Sequence, residues 1–178
     1  MVQDYLSDTV MAAMGIDLSE VAKCAEMIYD AWKRDASVWI VGNGGSASTA
    51  GHFANDLVKM ARVKAFSVAD MTPAVMAYGN DTGWDNMFAG ALDVMMRPQD
   101  KLAAISCGGR SGNVIKAAEM FRRENRVVLT GDKRDTPLGS MEAFATVFVP
   151  VSDIRIQEDV HVMVCHVIAG MVAERTRG

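Results

Sequence analysis

Two histidine–carboxylate pairs stand at helical spacing in this chain, and either could move protons or hold a divalent metal. His52 and Asp56 are four residues apart, so on a helix they share one face. Glu158 and His166 are eight apart, a little over two turns, and fall on nearly the same side. Gln157, His161 and Cys165 make a neighbouring stripe. If the two helices meet, imidazoles and carboxylates line one pocket, the donor set for a divalent metal or for general acid–base work. His161, on a crowded apolar helix, reads instead as a satisfied core residue.

Two hydroxyl-rich glycine loops accompany these pairs. The first lies in WIVGNGGSASTAGHFANDL (39–57), the second in LAAISCGGRSGNVIKAAEMF (102–121). Each follows a short apolar run and opens a helical pattern, which puts it at the C-terminal end of a strand, where open α/β sheets bind their ligands. Ser46 and Ser111 fall near helix N-termini, where free backbone N–H groups and the helix dipole attract an anion. Gly44 and Gly45 bring backbone amides close to such an anion, and two loops of this kind could grip one phosphate from two sides. The plainer reading makes both serines helix N-caps. A dinucleotide site is the sharper rival: Gly42-x-Gly44-x-x-Ala47 satisfies the looser fingerprint, and Asp70 follows the next strand where a ribose-binding carboxylate could stand. Against it, about 35 mostly helical residues precede this first strand, and the second loop has no task in such a site. No GxxxxGK[ST] motif is present.

These groups need a scaffold of alternating strands and helices. SVWIV (37–41), AFSV (65–68), LAAIS (102–106), RVVLT (126–130) and TVFVPV (146–151) read as five strands, with helical patterns at about 47–60, 73–80, 85–96 and 112–124 between them. A parallel sheet covered on both faces follows. From Asp17, DLSEVAKCAEMIYDAWKRD opens with an Asp-x-x-Glu capping box and continues as an amphipathic helix. IRIQEDVHVMVCHVIAGMVAERT is a long helix, apolar nearly all round, which must be buried, and a subunit interface is a plausible place for it. With 178 residues, half of them apolar, the chain fits one domain.

Composition narrows the partners. A formal charge of −4 and a pI near 5.3 argue against nucleic acid as the main partner. Arg122, Arg123 and Arg126, beside Glu119 and Glu124, read as the solvated end of a helix. No run approaches membrane-spanning length, and MVQDYLSDTV has neither a basic n-region nor an apolar h-region, so a soluble cytoplasmic protein is expected. Cys24, Cys107 and Cys165 lack CxxC spacing and read as reduced, isolated thiols, Cys24 as core.

In order, GNGGSAS, HFAND, GNDTGWDNMF, SCGGRSGNVIKA, LTGD and RIQEDVH make the chain similar to the sugar isomerase (SIS) family, and within it to the phosphoheptose isomerases. The likeness runs from the first helix to the last; the first loop and the Gly79-Asn80-Asp81 segment with Asp85 and Phe88 are its most specific parts. It implies one SIS domain over 1–178, a flavodoxin-like three-layer αβα sandwich with a five-stranded parallel sheet and long N- and C-terminal helices, and a homotetramer with sites between subunits. It also implies an aldose–ketose isomerisation of sedoheptulose 7-phosphate to a heptose 7-phosphate for surface polysaccharides, with no nucleotide cofactor and no membrane partner. By the resemblance, Asn43 and Ser46 fall in the first sugar-phosphate loop, Ser106 and Ser111 in the second, and Asp81 lines the sugar site. His52 matches a metal-ligand histidine of the zinc-bearing members, Asp56 the catalytic glutamate and His166 the catalytic histidine.

Three departures bear on the chemistry. Asp56 is one methylene shorter than the glutamate, so its carboxylate reaches less far. Gly108 and Arg110 replace a hydroxyl and a small polar residue, and Arg110 could clamp a phosphate or select a different substrate end. The usual RIQExH has become RIQEDVH, so counting back from His166 makes Glu158 its partner, whereas counting forward from Gln157 puts Cys165 in the histidine's place. The first register keeps an imidazole at the reaction centre. The reaction expected is proton transfer through an enediol, with Asp56 or Glu158 taking the carbon-bound proton and His166 serving the oxygens. Zinc held by His52, Asp56, Glu158 and His166 could polarise the carbonyl. Alternatives are an isomerase of another phosphosugar, or a non-catalytic relative that binds a phosphosugar or a replication initiator.

Overall fold

Five short apolar runs pair side by side as parallel strands, and the helices between them cover both faces. The computed structural model describes residues 2–177. In chain order its elements are α1 (Val2–Met14), α2 (Leu18–Lys33), β1 (Ser37–Val41), α3 (Gly45–Lys59), β2 (Lys64–Ser67), α4 (Thr72–Thr82), α5 (Met87–Met95), β3 (Lys101–Ser106), α6 (Gly112–Glu119), β4 (Arg126–Thr130), β5 (Ala145–Phe148) and α7 (Ile154–Thr176). The sheet order is β2-β1-β3-β4-β5. The chain therefore moves one way from β1 to β2 and the other way to β3, and the β1/β3 boundary is the switch point where such sheets open a ligand crevice.

Side-chain alternation sorts the core into two layers. Val38, Ile40, Ala103, Ile105, Val127 and Leu129 pack with α1, α2, α3 and α7. Trp39, Val41, Leu102, Ala104 and Val128 pack with α4, α5 and α6. Large fully buried side chains such as Ile28, Ile40, Leu57, Ile105, Leu129 and Ile168 each contribute about 1.5–3 kcal/mol.

The strands expected from sequence are all present, four of them with ends shifted by at most one residue; β5 stops at Phe148, three residues short of its expected end and shortly before Pro150. Elsewhere the structure corrects the reading. The mostly helical stretch expected before β1 is two helices, α1 and α2, broken at Gly15–Asp17. The capping box is half made: Asp17 Oδ1 accepts from Ser19 N at 2.9 Å, while Glu20 turns away to accept from Thr146 N of β5 at 2.8 Å. The helix expected to reach 124 ends at Glu119, and a single 3₁₀ turn, Arg123–Asn125, follows. Arg126 is not a solvated helix end. It begins β4, and its guanidinium donates to the carbonyls of Ala118, Phe121 and Glu142, tying off the end of α6.

By length and composition α7 does suffice to cross a membrane, contrary to the expectation that no run comes near it. Much of its apolar surface is spent inside the fold: Ile156, Val160, Val164, Ile168, Ala169 and Val172 are buried, and its main neighbours are α2, α3 and α1, while Met163 and Val167 stay exposed.

Candidate active site

The first loop takes its shape from glycine where nothing else fits. A methyl on Gly42 would stand 2.6 Å from the Ser46 carbonyl oxygen, and Gly44, at φ +53°, caps α3 from the left-handed region. Ser46 is accordingly not the N-cap but sits within the first turn, buried. In the second loop, Gly109 at φ +61° turns the chain, and Ser111 is the N-cap residue of α6 without a side-chain capping bond. Its hydroxyl instead faces that of Ser106 at 3.4 Å. Thr130 Oγ1 donates to the Ser106 carbonyl at 2.8 Å and fixes the end of β3. The plain N-cap reading thus describes neither serine's side chain.

A pair of amides joins the two loops. Asn43 Nδ2 donates to Asn113 Oδ1 at 2.9 Å, and Asn113 Nδ2 returns a bond to Asn43 Oδ1 at 2.8 Å. Asn113, fully buried, also accepts from Val114 N at 3.0 Å. Asn113 was missed from sequence; its place two residues after Ser111, matching no periodic pattern, was the only signal. Beside the first loop opens a cavity of about 210 Å³, walled by Asn43, Gly44, Val75, Met76, Trp84 and Phe88. Asp81 stands exposed at the end of α4, where it accepts from Asn80. The carboxylate that closes over the start of α6 is Asp85, whose oxygens a methyl on Gly112 would overlap. Arg110 is exposed at the tip of the second loop.

Packing of α3 on α7 brings the two pairs into one groove. His52 Nε2 and His166 Nε2 lie 2.8 Å apart, and Asp56 Oδ2 is 3.4 Å from the first and 3.5 Å from the second. The two rings meet edge to face at 73°. Asp56 is buried, while both imidazoles are half open to solvent. Donor atoms of a four-coordinate zinc stand about 3.3 Å from one another, given Zn–N near 2.05 Å. His52, Asp56 and His166 therefore fit that ion as a three-ligand set with an open position, the arrangement of catalytic zinc.

Glu158 stands outside this group. It lies on the same groove toward the loops, its carboxylate resting on Gly45, where a methyl would overlap it. The other stripe of α7 turns inward. Gln157 is buried, its Nε2 donating to the Val151 carbonyl at 2.6 Å and its Oε1 unpartnered against Gly131. Cys165 is sealed in the core, where burial raises its thiol pKa. The added residue in RIQEDVH thus carries Cys165 into the core and leaves His166 facing α3. His161 is also buried; its Nε2 approaches the Thr130 carbonyl at 3.3 Å, and its Nδ1 lies 3.7 Å from Cys107 Sγ. Burial pulls its pKa down to about 4, so it is neutral at pH 7. Burial likewise pushes the Cys107 thiol up to about 11.

Known proteins resemble this chain in sequence and in fold. Residues 4–129 match the SIS domain family. The phosphoheptose isomerase of Trichlorobacter lovleyi is 30% identical over 97% of this chain and 90% of its own length. That of Shewanella sediminis is 36% identical over 85% and 83%. The structure of phosphoheptose isomerase from Neisseria gonorrhoeae superposes with a TM-score of 0.88 at 25% identity, covering 97% of each chain. By the family match over residues 4–129 and by these relatives, the chain belongs to the SIS domain family, beside the phosphoheptose isomerases.

Proposed function

We propose that the protein is an aldose–ketose isomerase of phosphosugars that interconverts sedoheptulose 7-phosphate and D-glycero-D-manno-heptose 7-phosphate through an enediol. The observation that carries this reading is the layout of α3: the phosphate-type loop at its N-terminus and His52, Asp56 and His166 farther along one groove. From Ser46 to His52 is six residues, or about 9 Å of helix, so an extended sugar with its phosphate at the loops brings its far carbons to the imidazoles. Ser46, Ser106, Ser111 and the amides of Gly44 and Gly45 are the phosphate donors in this reading, with Arg110 adding charge at the rim.

Asp56 has the two faces the chemistry needs. Oδ2 is turned to the histidines, while Oδ1 receives only a 3.3 Å bond from Asn55 and in this reading takes the carbon-bound proton and returns it to the neighbouring carbon. His166 Nε2, oriented by His52, moves a proton between the two sugar oxygens. Zinc held by His52, Asp56 and His166 would polarise the substrate carbonyl in place of that proton transfer, because the Nε2 that binds the ion no longer carries a proton.

A homotetramer with sites between subunits belongs to the same reading, supported by exposed Leu6, Val10, Met11 and Met14 on α1 beside Met163 and Val167 on α7. Following sedoheptulose 7-phosphate conversion by the purified protein, with and without chelator, tests the activity. Turnover is expected; binding without turnover under either condition would leave a non-catalytic phosphosugar binder in its place.

A further inference from the structure

Resting on that reading, we infer that Glu158 is a substrate-orienting carboxylate that accepts hydroxyls from the middle of the sugar chain, and is neither the proton-abstracting base nor a metal ligand. Position comes first. Its carboxylate lies against Gly45 in the first turn of α3, while the His52, Asp56 and His166 donor atoms gather farther down the groove, within 4.8 Å of one another and without it. On α7, Glu158 and His166 are eight residues apart, about 12 Å of helix. A base must reach the carbon whose proton it takes, and the isomerising carbons belong at the imidazole end, so Glu158 is placed beside the segment between phosphate and carbonyl.

Bonding capacity comes second. Glu158 is half-buried and makes no hydrogen bond or ion pair among the described residues; its near polar neighbour is the Cys107 thiol. An ionised carboxylate is acceptor-only, with room for about four bonds. In a half-buried groove such a group needs donors, and the donors a phosphosugar offers there are its hydroxyls.

Glu158→Ala and Glu158→Gln, compared with Asp56→Asn, test the assignment by KM, kcat, zinc retention and binding. A lost hydrogen bond to a charged acceptor corresponds to a KM for sedoheptulose 7-phosphate raised about 10- to 100-fold in E158A, with the isosteric E158Q between it and the parent. In both variants kcat stays within about threefold and zinc, titrated as the free ion against a chelator, is held as tightly as in the parent. D56N shows the reverse, loss of kcat. The Kd of inorganic phosphate, which lacks the hydroxyls, is unchanged or lower in E158A. Loss of zinc, a fall in kcat of more than about a hundredfold at constant KM, or equal weakening of inorganic phosphate and phosphosugar would each overturn the inference. If the parent protein binds the sugar phosphate without turnover, the isomerase reading fails while the two Kd values still decide the role of Glu158; E158Q, which keeps the shape, covers the case in which E158A does not fold.

Discussion

Replacing Gly45 by alanine isolates the contact between α3 and Glu158. Gly45 is in the first turn of α3 and has no positive φ, so alanine suits its backbone and gains about 0.5–1 kcal/mol of helix propensity. Against this, the new methyl overlaps the Glu158 carboxylate. That carboxylate is the far end of a flexible side chain, so it swings aside, at about 0.5–1.5 kcal/mol for an off-rotamer torsion. The two effects nearly cancel: urea unfolding should place G45A within about 1 kcal/mol of the parent. Function should change far more, since the displaced acceptor no longer meets the sugar, and KM should rise about as it does in E158A, about 10- to 100-fold. The double variant G45A/E158A has nothing left to displace. It should show no further rise in KM over E158A and should be more stable than E158A by the propensity gain, about 0.5–1 kcal/mol. KM values multiplying as independent effects, or G45A keeping the parent's KM, would refute the reasoning.

Other outcomes follow from groups already placed. His166→Ala should lower kcat by about 10²- to 10⁴-fold while calorimetry finds phosphosugar affinity within a few-fold of the parent. His52→Ala should weaken zinc in chelator competition, and Ser111→Ala, which touches none of the three donors, should not. Asn113→Leu leaves the Asn43 amide without its partner in the floor between the loops and should cost about 1–3 kcal/mol in urea unfolding. His161 is held neutral in the fold at a pKa of about 4, against 6.5 when unfolded. The unfolded chain therefore binds the extra proton between those values, so stability is full above pH 6.5 and declines as pH falls toward 4, by up to about 3 kcal/mol. Urea unfolding of the parent and of His161→Gln at pH 7 and pH 5 should show a smaller loss in the variant; equal losses would put the proton elsewhere.

The order of elements was legible because strand and helix obey different periods and glycine marks their junctions; both loops and all five strands could be placed from that alone. Contacts made by turning a side chain away from its local partner were not. Glu20 has the spacing of a capping residue yet serves the open edge of β5, and Arg126 sits among helix-end charges yet reaches the carbonyls of Ala118, Phe121 and Glu142. At the site, the register of α7 decided which stripe faces α3, and the burial of Val160, Val164 and Ile168 sets that register. Sequence spacing put Glu158 and His166 on one side of α7 but said nothing of where along α3 each would land. Asn113 was invisible for a simpler reason: its partner is 70 residues away.

The mutual bonds between Asn43 and Asn113 also bear on how the site can change over generations. Each amide gives the other a donor and takes an acceptor, so aspartate, with no donor, and leucine, with neither, fail at either position alone. Only a paired replacement can keep both positions satisfied, so the two loops act as one part: a change to the phosphate grip at one loop is made within a frame held by the other. Change in substrate is left to residues outside the clasp, Arg110 at the rim and Glu158 in the groove.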